Sequence, residues 1–319
     1  MRTLSIALSD APRRHVLSDG GTTVTILSRG CITQDWRIAT DGGEIPVVLG
    51  YSDAMKYAQD PYFMGAVVGR CAGRTVQAGF DLNGERWTLD ANEAPHHLHG
   101  GRGGIWAQDW QSDSDGTRAV QLRLTSLHGD QGYPGRVDFC VTITLNGDEL
   151  SYDMRAISDR PTPLSLAQHS YYNLMGGGLI HNHRLGLRSK YALPQTEDLI
   201  VRGTQVPVEG TPLDLNAVAV LGDCDPMGQG LDLAYVLAAP DIRLAAPNGV
   251  ILQARTNQPC AQLYTGCHLG APFAPFQGVC LEPQGFPDAV NQAAFPTALT
   301  TPDHPYHQTL SVRIAQDRP

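Results

Sequence analysis

Apolar and polar side chains alternate along much of this chain with the two-residue period of a β-strand. The clearest run is VDFCVTITL (residues 137–145), in which every second side chain from Val137 to Leu145 is apolar. Because successive side chains of a strand point to opposite faces of its sheet, this run predicts a strand with one buried face. Comparable strand-like runs are TVTIL (23–27), FDLNGERWTL (80–89), VQLRL (120–124), LSYDMRAI (150–157) and LSVRI (310–314).

Turn residues are plentiful between these runs, since the chain has 34 glycines and 22 prolines. Asn83-Gly84 lies inside one strand-like run and predicts a tight hairpin there. Long amphipathic helical patterns are hard to find, and no repeat or low-complexity linker marks a domain boundary. The sequence therefore predicts an all-β fold, a large antiparallel β-sandwich that forms a single domain over residues 1–319.

Composition and charge narrow the class of partner. The hydrophobic fraction of 42% is enough for a sizeable core, and the charged fraction of 17% argues against disorder. The net charge of −9 argues against nucleic acid or an anionic membrane as the main partner. No apolar run is long enough to cross a bilayer, and the start, MRTLSIALSDAPRR, has no convincing signal-peptide core.

Seven cysteines are scattered along the chain, and no CxxC pair occurs among them. Their odd number and irregular spacing favour neither a disulfide framework nor a zinc knuckle. We expect free thiols in a reducing cytoplasm.

The segment GAVVGRCAGR (65–74) places Arg70 and Arg74 among small residues. Its glycines suggest a phosphate cradle, but the GxxxxGK[ST] pattern and a strand-to-helix unit are both missing. Close backbone packing with an arginine that reaches into a pocket fits better. A structural salt bridge is the alternative.

The segment APHHLHGG (94–101) carries three histidines. In an extended segment His97 and His99 share a face, while His96 points the other way. Two histidines on one face can bind zinc if a third ligand comes from elsewhere, but no HExxH motif or cysteine cluster accompanies them. A histidine beside Gly100-Gly101, where a ligand can approach the backbone, suits hydrogen bonding or acid–base chemistry.

Two further segments hold candidate chemical groups. LAQHSYYNLMGGG (166–178) sets His169 beside Tyr171, Tyr172 and Asn173, aromatic and amide groups that suit the faces and hydroxyls of a sugar. GVCLEPQGFPDAVNQ (278–292) places Glu282 where an apolar run meets a turn-rich stretch, and a carboxylate is rarely left buried without a partner.

An imidazole and a carboxylate form a complementary proton-transfer pair. No GxSxG motif supports serine hydrolysis. A glycosidase typically needs a second carboxylate, which Asp232 can nominally supply, although the sequence gives no spacing between the two.

Taken together and in this order, several segments resemble the aldose 1-epimerase (galactose mutarotase) family. The resemblance covers most of the chain. It is carried by VVLGY (47–51), PYFMGAVVGRCAGR (61–74), FDLNGERWTLDANEAPHHLHGG (80–101), GDQGYPGRVDFCVTITL (129–145), HSYYNL (169–174), VEGTPLDL (208–215), GLDLAYVL (230–237), QLYTG (262–266) and LEPQGFPDAVNQAAFP (281–296).

The resemblance implies a β-supersandwich and interconversion of the α and β anomers of a free sugar without a cofactor or metal. Glu282 matches the family's general base, His169 the histidine that protonates the ring oxygen, and His99 a second active-site histidine. Positions that hold sugar hydroxyls or order the site are matched by Arg74, Asp232 and Gln262. The implied partner is a monosaccharide substrate, and the oligomeric state stays open.

This chemistry needs Glu282 ionised while His169 is ready to donate, so we expect the two in opposed environments. The turn held by Pro283, Gly285 and Pro287 is expected to fix the carboxylate. One departure concerns specificity: the family usually has Asn before the arginine, where this chain has Gly73. Two alternatives are a non-catalytic carbohydrate-binding β-sandwich and a hexose-6-phosphate 1-epimerase. His181 and His183, expected in a surface loop, receive no role.

Overall fold

Strands make up nearly all the regular structure of residues 11–317, the part of the chain that this computed structural model describes. The first ten residues, on which the signal-peptide expectation partly rests, lie outside that range. The strands are β1 (Arg14–Asp19), β2 (Thr22–Leu27), β3 (Thr33–Thr40), β4 (Gly43–Pro46), β5 (Val67–Val68), β6 (Arg74–Thr75), β7 (Gly79–Leu82), β8 (Glu85–Thr88), β9 (His97–Leu98), β10 (Gln111–Ser114), β11 (Ala119–Ser126), β12 (Val137–Asn146), β13 (Glu149–Ser158), β14 (Thr162–Pro163), β15 (Ala167–Gln168), β16 (Tyr171–Tyr172), β17 (Arg184–Leu193), β18 (Val206–Pro207), β19 (Ala219–Val220), β20 (Asp232–Ala245), β21 (Val250–Thr256), β22 (Cys260–Tyr264), β23 (Val279–Gln284), β24 (Leu299–Thr300) and β25 (Tyr306–Gln316).

Helical structure in the same range is limited to short elements. These are α1 (Leu221–Cys224) and 3-10 turns at Ala54–Gln59, Val76–Ala78, Ile105–Ala107, Asp130–Gly132 and Ile180–Asn182. None of the helices formed by residues 11–317 is long and apolar enough to cross a membrane. All seven cysteines are free thiols, as expected.

The alternating sequence runs form strands where the pattern predicts them. The run at 137–145 is β12, whose side chains alternate between buried and more exposed positions. The remaining runs fall in β2, β11, β13, β25 and the β7–β8 hairpin. In that hairpin Asn83 and Gly84 have φ angles of 54° and 81°, the left-handed backbone that a type I′ turn requires. The predicted all-β fold class is confirmed.

Two antiparallel sheets dominate the fold. A four-stranded sheet has the order β1-β2-β3-β4, and a 13-stranded sheet has the main order β10-β11-β12-β13-β25-β21-β20-β22-β23-β16, with β17 joined to β20. Leu17, Val24 and Trp36 of the smaller sheet belong to the same buried cluster as Val141 and Leu310 of the larger one. The core therefore lies between two layers, as in the predicted sandwich.

Strand β23 contributes side chains to both faces of the large sheet. Val279 and Leu281 belong to the core cluster, whereas Glu282 and Gln284 line a cavity. Glu282 pairs with Gln262 of β22 inside the ladder. The expectation that a turn after the strand fixes the carboxylate is therefore wrong: Glu282 lies within the strand, where ladder hydrogen bonds and two-sided packing hold its backbone.

Candidate active site

A cavity of about 250 Å³ lies over the face of the large sheet formed by β23, β22 and the start of β20. It brings together all six residues that the sequence selects: Arg74, His99, His169, Asp232, Gln262 and Glu282. These residues come from distant parts of the chain. The cavity is further lined by Pro61, Tyr62, Phe63, Gly73, Glu93, Leu98, Tyr171, Gln195, Leu199, Val201, Tyr264, His268, Gln284 and Pro287.

His169 and Glu282 face each other in the cavity as a buried ionisable pair. The His169 Nε2 atom lies 3.6 Å from Glu282 Oε1, and the two side chains are only 6% and 3% exposed. The other ring nitrogen, Nδ1, lies 3.6 Å from the Cys280 thiol sulfur. Nε2 is therefore the nitrogen beside the carboxylate, at a distance that allows a ligand atom to bridge the two groups.

Burial shifts both members of this pair toward their neutral forms. Desolvation lowers the pKa of His169 to about 4. Desolvation, together with the charge of Asp232, raises the pKa of Glu282 well above its usual value. The expected opposed environments are not found, because the two side chains share one desolvated cavity. The site instead favours a pair that holds one proton between its two members.

His99 enters the cavity because the backbone turns at that residue. Its φ angle is +50°, in the left-handed region, so the strand-like alternation of the HHLH segment stops there. Its Nδ1 accepts a hydrogen bond from the Gly73 N–H at 3.2 Å. Burial and the neighbouring His169 hold the pKa of His99 well below its usual value. A neutral ring that accepts at Nδ1 carries its hydrogen on Nε2 and can donate from there.

The expectation that His97 and His99 share a face is wrong. His97 is fully buried away from the cavity, with Nδ1 2.6 Å from the Asp90 carbonyl oxygen and Nε2 2.8 Å from the Tyr133 hydroxyl. Both of its ring nitrogens are used within the fold, so the zinc hypothesis for this pair fails. His96 accepts a hydrogen bond from the Gln77 N–H. Within the described range, the three side chains near enough to share an ion are His99, His169 and Glu282.

The two arginines of the glycine-rich segment have different environments. Arg70 is 2% exposed and donates to the Ser126 hydroxyl and to nearby backbone carbonyls, including that of Pro134. Arg74 lines the cavity and forms a bidentate ion pair with Glu93, with N–O distances of 2.6 and 2.9 Å. Both predicted alternatives thus hold for Arg74, which reaches into a pocket and forms a salt bridge.

Asp232 and Gln262 lie on neighbouring strands and contact each other. The Gln262 Nε2 atom donates to Asp232 Oδ1 at 2.5 Å. Burial raises the pKa of Asp232, and the hydrogen bond from Gln262 opposes that shift. This contact leaves Asp232 Oδ2 and Gln262 Oε1 as further acceptors for a polar ligand.

Of the aromatic and amide groups expected around His169, only Tyr171 lines the cavity. Tyr172 belongs to the core, and the Asn173 amide donates to the carbonyls of Gly178 and Gln277. His183, expected in a surface loop, is fully buried and accepts a hydrogen bond from the Leu174 N–H at 3.0 Å.

Sequence reasoning missed several cavity residues. Phe63 packs edge-on against His99 and lies 5.9 Å from the His169 ring, so it shields both imidazoles. Glu93 gives no sequence signal, because its partner Arg74 is distant along the chain. Gln284 has one: it follows Glu282 by two residues and so shares its face of the strand.

Comparison with known proteins shows the family to which this sequence is similar. The sequence profile of the aldose 1-epimerase family matches residues 13–313. The galactose mutarotase of Mus musculus is 37% identical over 307 residues, which cover 90% of this chain and 89% of the relative. The aldose 1-epimerase of Escherichia coli (strain K12) is 30% identical over 302 residues, covering 88% and 87%.

Solved structures agree on the fold. An aldose epimerase homologue from C. elegans superposes with a TM-score of 0.92 at 23% identity, covering 97% of this chain and 100% of that one. This supports the galactose mutarotase-like supersandwich, and the sequence relatives confirm the predicted function of an aldose 1-epimerase, an isomerase. On this evidence, the chain belongs to the aldose 1-epimerase family.

Proposed function

We propose that Glu282, His169 and His99 carry out the anomer interconversion of a free, neutral monosaccharide in this cavity. The observation that carries the proposal is the buried His169–Glu282 pair, whose facing atoms lie 3.6 Å apart. One imidazole nitrogen and one carboxylate oxygen then flank the hemiacetal centre, as a reaction that removes one proton and delivers another requires.

In the proposed ring opening, Glu282 takes the proton from the anomeric hydroxyl, O1. The O–H electron pair forms the C1=O1 double bond, and the bond between C1 and the ring oxygen breaks. The ring oxygen takes the Nε2 proton of His169. The open aldehyde rotates about C1–C2, and the same two groups reverse the transfers on the other face of the carbonyl.

The protonation of the pair fits this cycle. Burial favours a neutral His169 beside a protonated Glu282, the state that ring opening generates. Ring opening itself starts from the other arrangement, an ionised Glu282 beside a protonated His169, after the shared proton has moved within the pair. Ring closure starts from the neutral pair and returns the proton to His169. One shared proton therefore serves both half-reactions, and no proton has to be exchanged with solvent.

The remaining residues bind and orient the sugar. His99 can donate from Nε2 to a sugar oxygen, since its Nδ1 is occupied by the Gly73 N–H. Asp232 and Gln262 offer acceptors for hydroxyls, and Arg74 offers the donors that Glu93 leaves free. Tyr171 and Tyr264 supply aromatic surface for the apolar face of the ring.

Charge favours a neutral substrate over a sugar phosphate. Arg74 is the only arginine or lysine among the described cavity-lining residues, and Glu93 neutralises it. The phosphate group of a hexose-6-phosphate loses bound water when the sugar enters the cavity, and a cation at the cavity mouth is needed to compensate for that loss. We propose a cytoplasmic enzyme that acts on free aldoses, with neither nucleic acid nor membrane as partner.

Anomer exchange measured by polarimetry or NMR on hexoses, pentoses and 6-deoxy sugars tests this function. Initial rates at several buffer concentrations separate the enzyme from buffer catalysis. We expect rates well above buffer for neutral aldoses and little gain for hexose-6-phosphates. A protein that binds aldoses but leaves exchange at the buffer rate would be a carbohydrate-binding module instead.

A further inference from the structure

Gln284 is a buried amide whose hydrogen-bonding capacity the fold does not use. The residue is 1% exposed, and its Oε1 atom has no hydrogen-bond partner among residues 11–317. Buried side-chain oxygens nearly always have a partner, because leaving one without any costs about 1–3 kcal/mol. Residues 11–317 supply no partner for this oxygen, and a donor from a bound ligand would relieve that cost.

Location distinguishes this oxygen from similar ones. Eight buried side-chain atoms of residues 11–317 have no protein partner, and Gln284 Oε1 is the only one whose residue lines the cavity. Gln34 Oε1 is also unpaired, but Gln34 does not line the cavity, and the buried Gln308 is satisfied internally. Gln308 donates to the Pro283 carbonyl at 2.9 Å and accepts from the Tyr306 hydroxyl.

The strand places Gln284 next to the reacting groups. Glu282 and Gln284 lie on one face of β23, and the pleat separates such neighbours by about 7 Å along the strand. In the sheet register Glu282 pairs with Gln262, while Gln284 pairs with Cys260 on the side away from Tyr264. Gln284 thus extends the polar cavity floor beyond Glu282, within the span of a single sugar ring.

We propose that Gln284 is a specificity-determining residue whose Oε1 accepts a hydrogen bond from a ring hydroxyl of the bound aldose. The inference rests on the proposed function, because it assumes that the anomeric centre lies at Glu282. The hydroxyl that Gln284 contacts is one other than O1 and lies on the Cys260 side of the cavity. A sugar without that hydroxyl leaves the buried oxygen unpaired and binds more weakly.

Binding is best measured in Glu282→Gln, where chemistry is slow, with and without Gln284→Leu. Calorimetry with galactose, glucose and their monodeoxy analogues gives the affinities. Removing one neutral hydrogen bond should weaken binding roughly two- to tenfold. That loss should vanish for one deoxy sugar, which lacks the contacted hydroxyl, and persist for the others. Gln284→Met is the second variant, because the methionine side chain is unbranched and keeps the length of the glutamine while removing its amide.

Thermal unfolding without sugar separates this role from a structural one. Gln284→Leu removes no internal hydrogen bond and takes away the unpaired oxygen, so its midpoint should not fall below that of the parent. Gln308→Leu is the matched control. It leaves the Pro283 carbonyl without its hydrogen-bond donor and should lower the unfolding midpoint by several degrees.

Equal losses of stability in the two variants, or sugar affinities unchanged by both Gln284→Leu and Gln284→Met, overturn the proposal. Failure of the proposed function gives a different result. The wild type would then show no exchange above buffer, while the binding experiment in Glu282→Gln would still report on Gln284.

Discussion

Replacing Glu282 by glutamine should have opposite effects on activity and on stability. The substitution keeps the size of the side chain and removes its charge. Without a carboxylate to accept the O1 proton, turnover should fall by about 10²–10⁴-fold, the usual contribution of a general base. The folded protein should nevertheless become more stable, because it no longer buries a group that prefers water when ionised.

The pH dependence of that gain follows from the 2% exposure of Glu282 and its raised pKa. Above the ordinary glutamate value of 4.5, the unfolded wild type releases the proton that the folded state retains. Wild-type stability therefore falls relative to the variant as the pH rises. One proton corresponds to about 1.4 kcal/mol per pH unit, until the folded pKa is reached. Below the ordinary value the difference should be constant.

Urea unfolding of both proteins at intervals between about pH 5 and pH 8 measures the difference in the free energy of unfolding. Other ionisable groups largely cancel in this comparison. Glu93→Gln is a matched control, since the Glu93 side chain is 40% exposed and ion-paired with Arg74. We expect this variant to show no gain in the free energy of unfolding that grows with pH. A constant difference between wild type and Glu282→Gln, or a variant that is less stable throughout, would refute the desolvation argument.

Three further predictions concern the same cavity. His169→Asn and His99→Asn should each lower kcat, His169 more severely, while His96→Asn, outside the cavity, should be nearly silent; initial-rate assays check the order, and His96 as the most damaging position would contradict it. Dialysis against a strong chelator should leave activity intact, because proton transfer alone opens a hemiacetal, and loss restored specifically by zinc would contradict this. Gly73→Asn should shift preference toward galactose by roughly a few-fold to tenfold in kcat/KM; its backbone, at φ +74°, suits asparagine, and a new Cβ would meet only the Pro287 Cβ, at 3.5 Å. Rates on galactose, glucose, arabinose and fucose test the shift, and strong galactose selectivity unchanged by Gly73→Asn would refute it.

The strands could be predicted from the sequence because their determinants are local. Alternation in VDFCVTITL and the Asn83-Gly84 turn each fix conformation through neighbours a few residues away. Residue patterns single out Arg74, His99, His169 and Glu282, whereas Gln262 and the roles of all six site residues depend on the family resemblance. Nothing in the spacing of Asp232, Gln262 and Glu282 shows that three strands adjacent in the sheet bring them together.

Where prediction failed, a long-range or single-residue effect decided the outcome. The left-handed backbone at His99 turns its side chain away from the face that His97 occupies. A pattern that assumes an extended chain cannot predict that turn. The protonation of His169 and Glu282 depends on how much solvent the folded cavity excludes. The Arg74–Glu93 pair likewise joins two segments that the β6–β9 pairing brings together, which their spacing in the sequence does not show.

The alternation of β23 has a consequence for enzyme engineering. A one-residue insertion in this strand would exchange Leu281 and Glu282, losing the core and the chemistry together. Gln195, Leu199 and His268 line the same cavity from outside the strands and carry no core packing. A mutant library restricted to those three positions can therefore vary the contacts to the sugar while leaving the core residues and Glu282 unchanged.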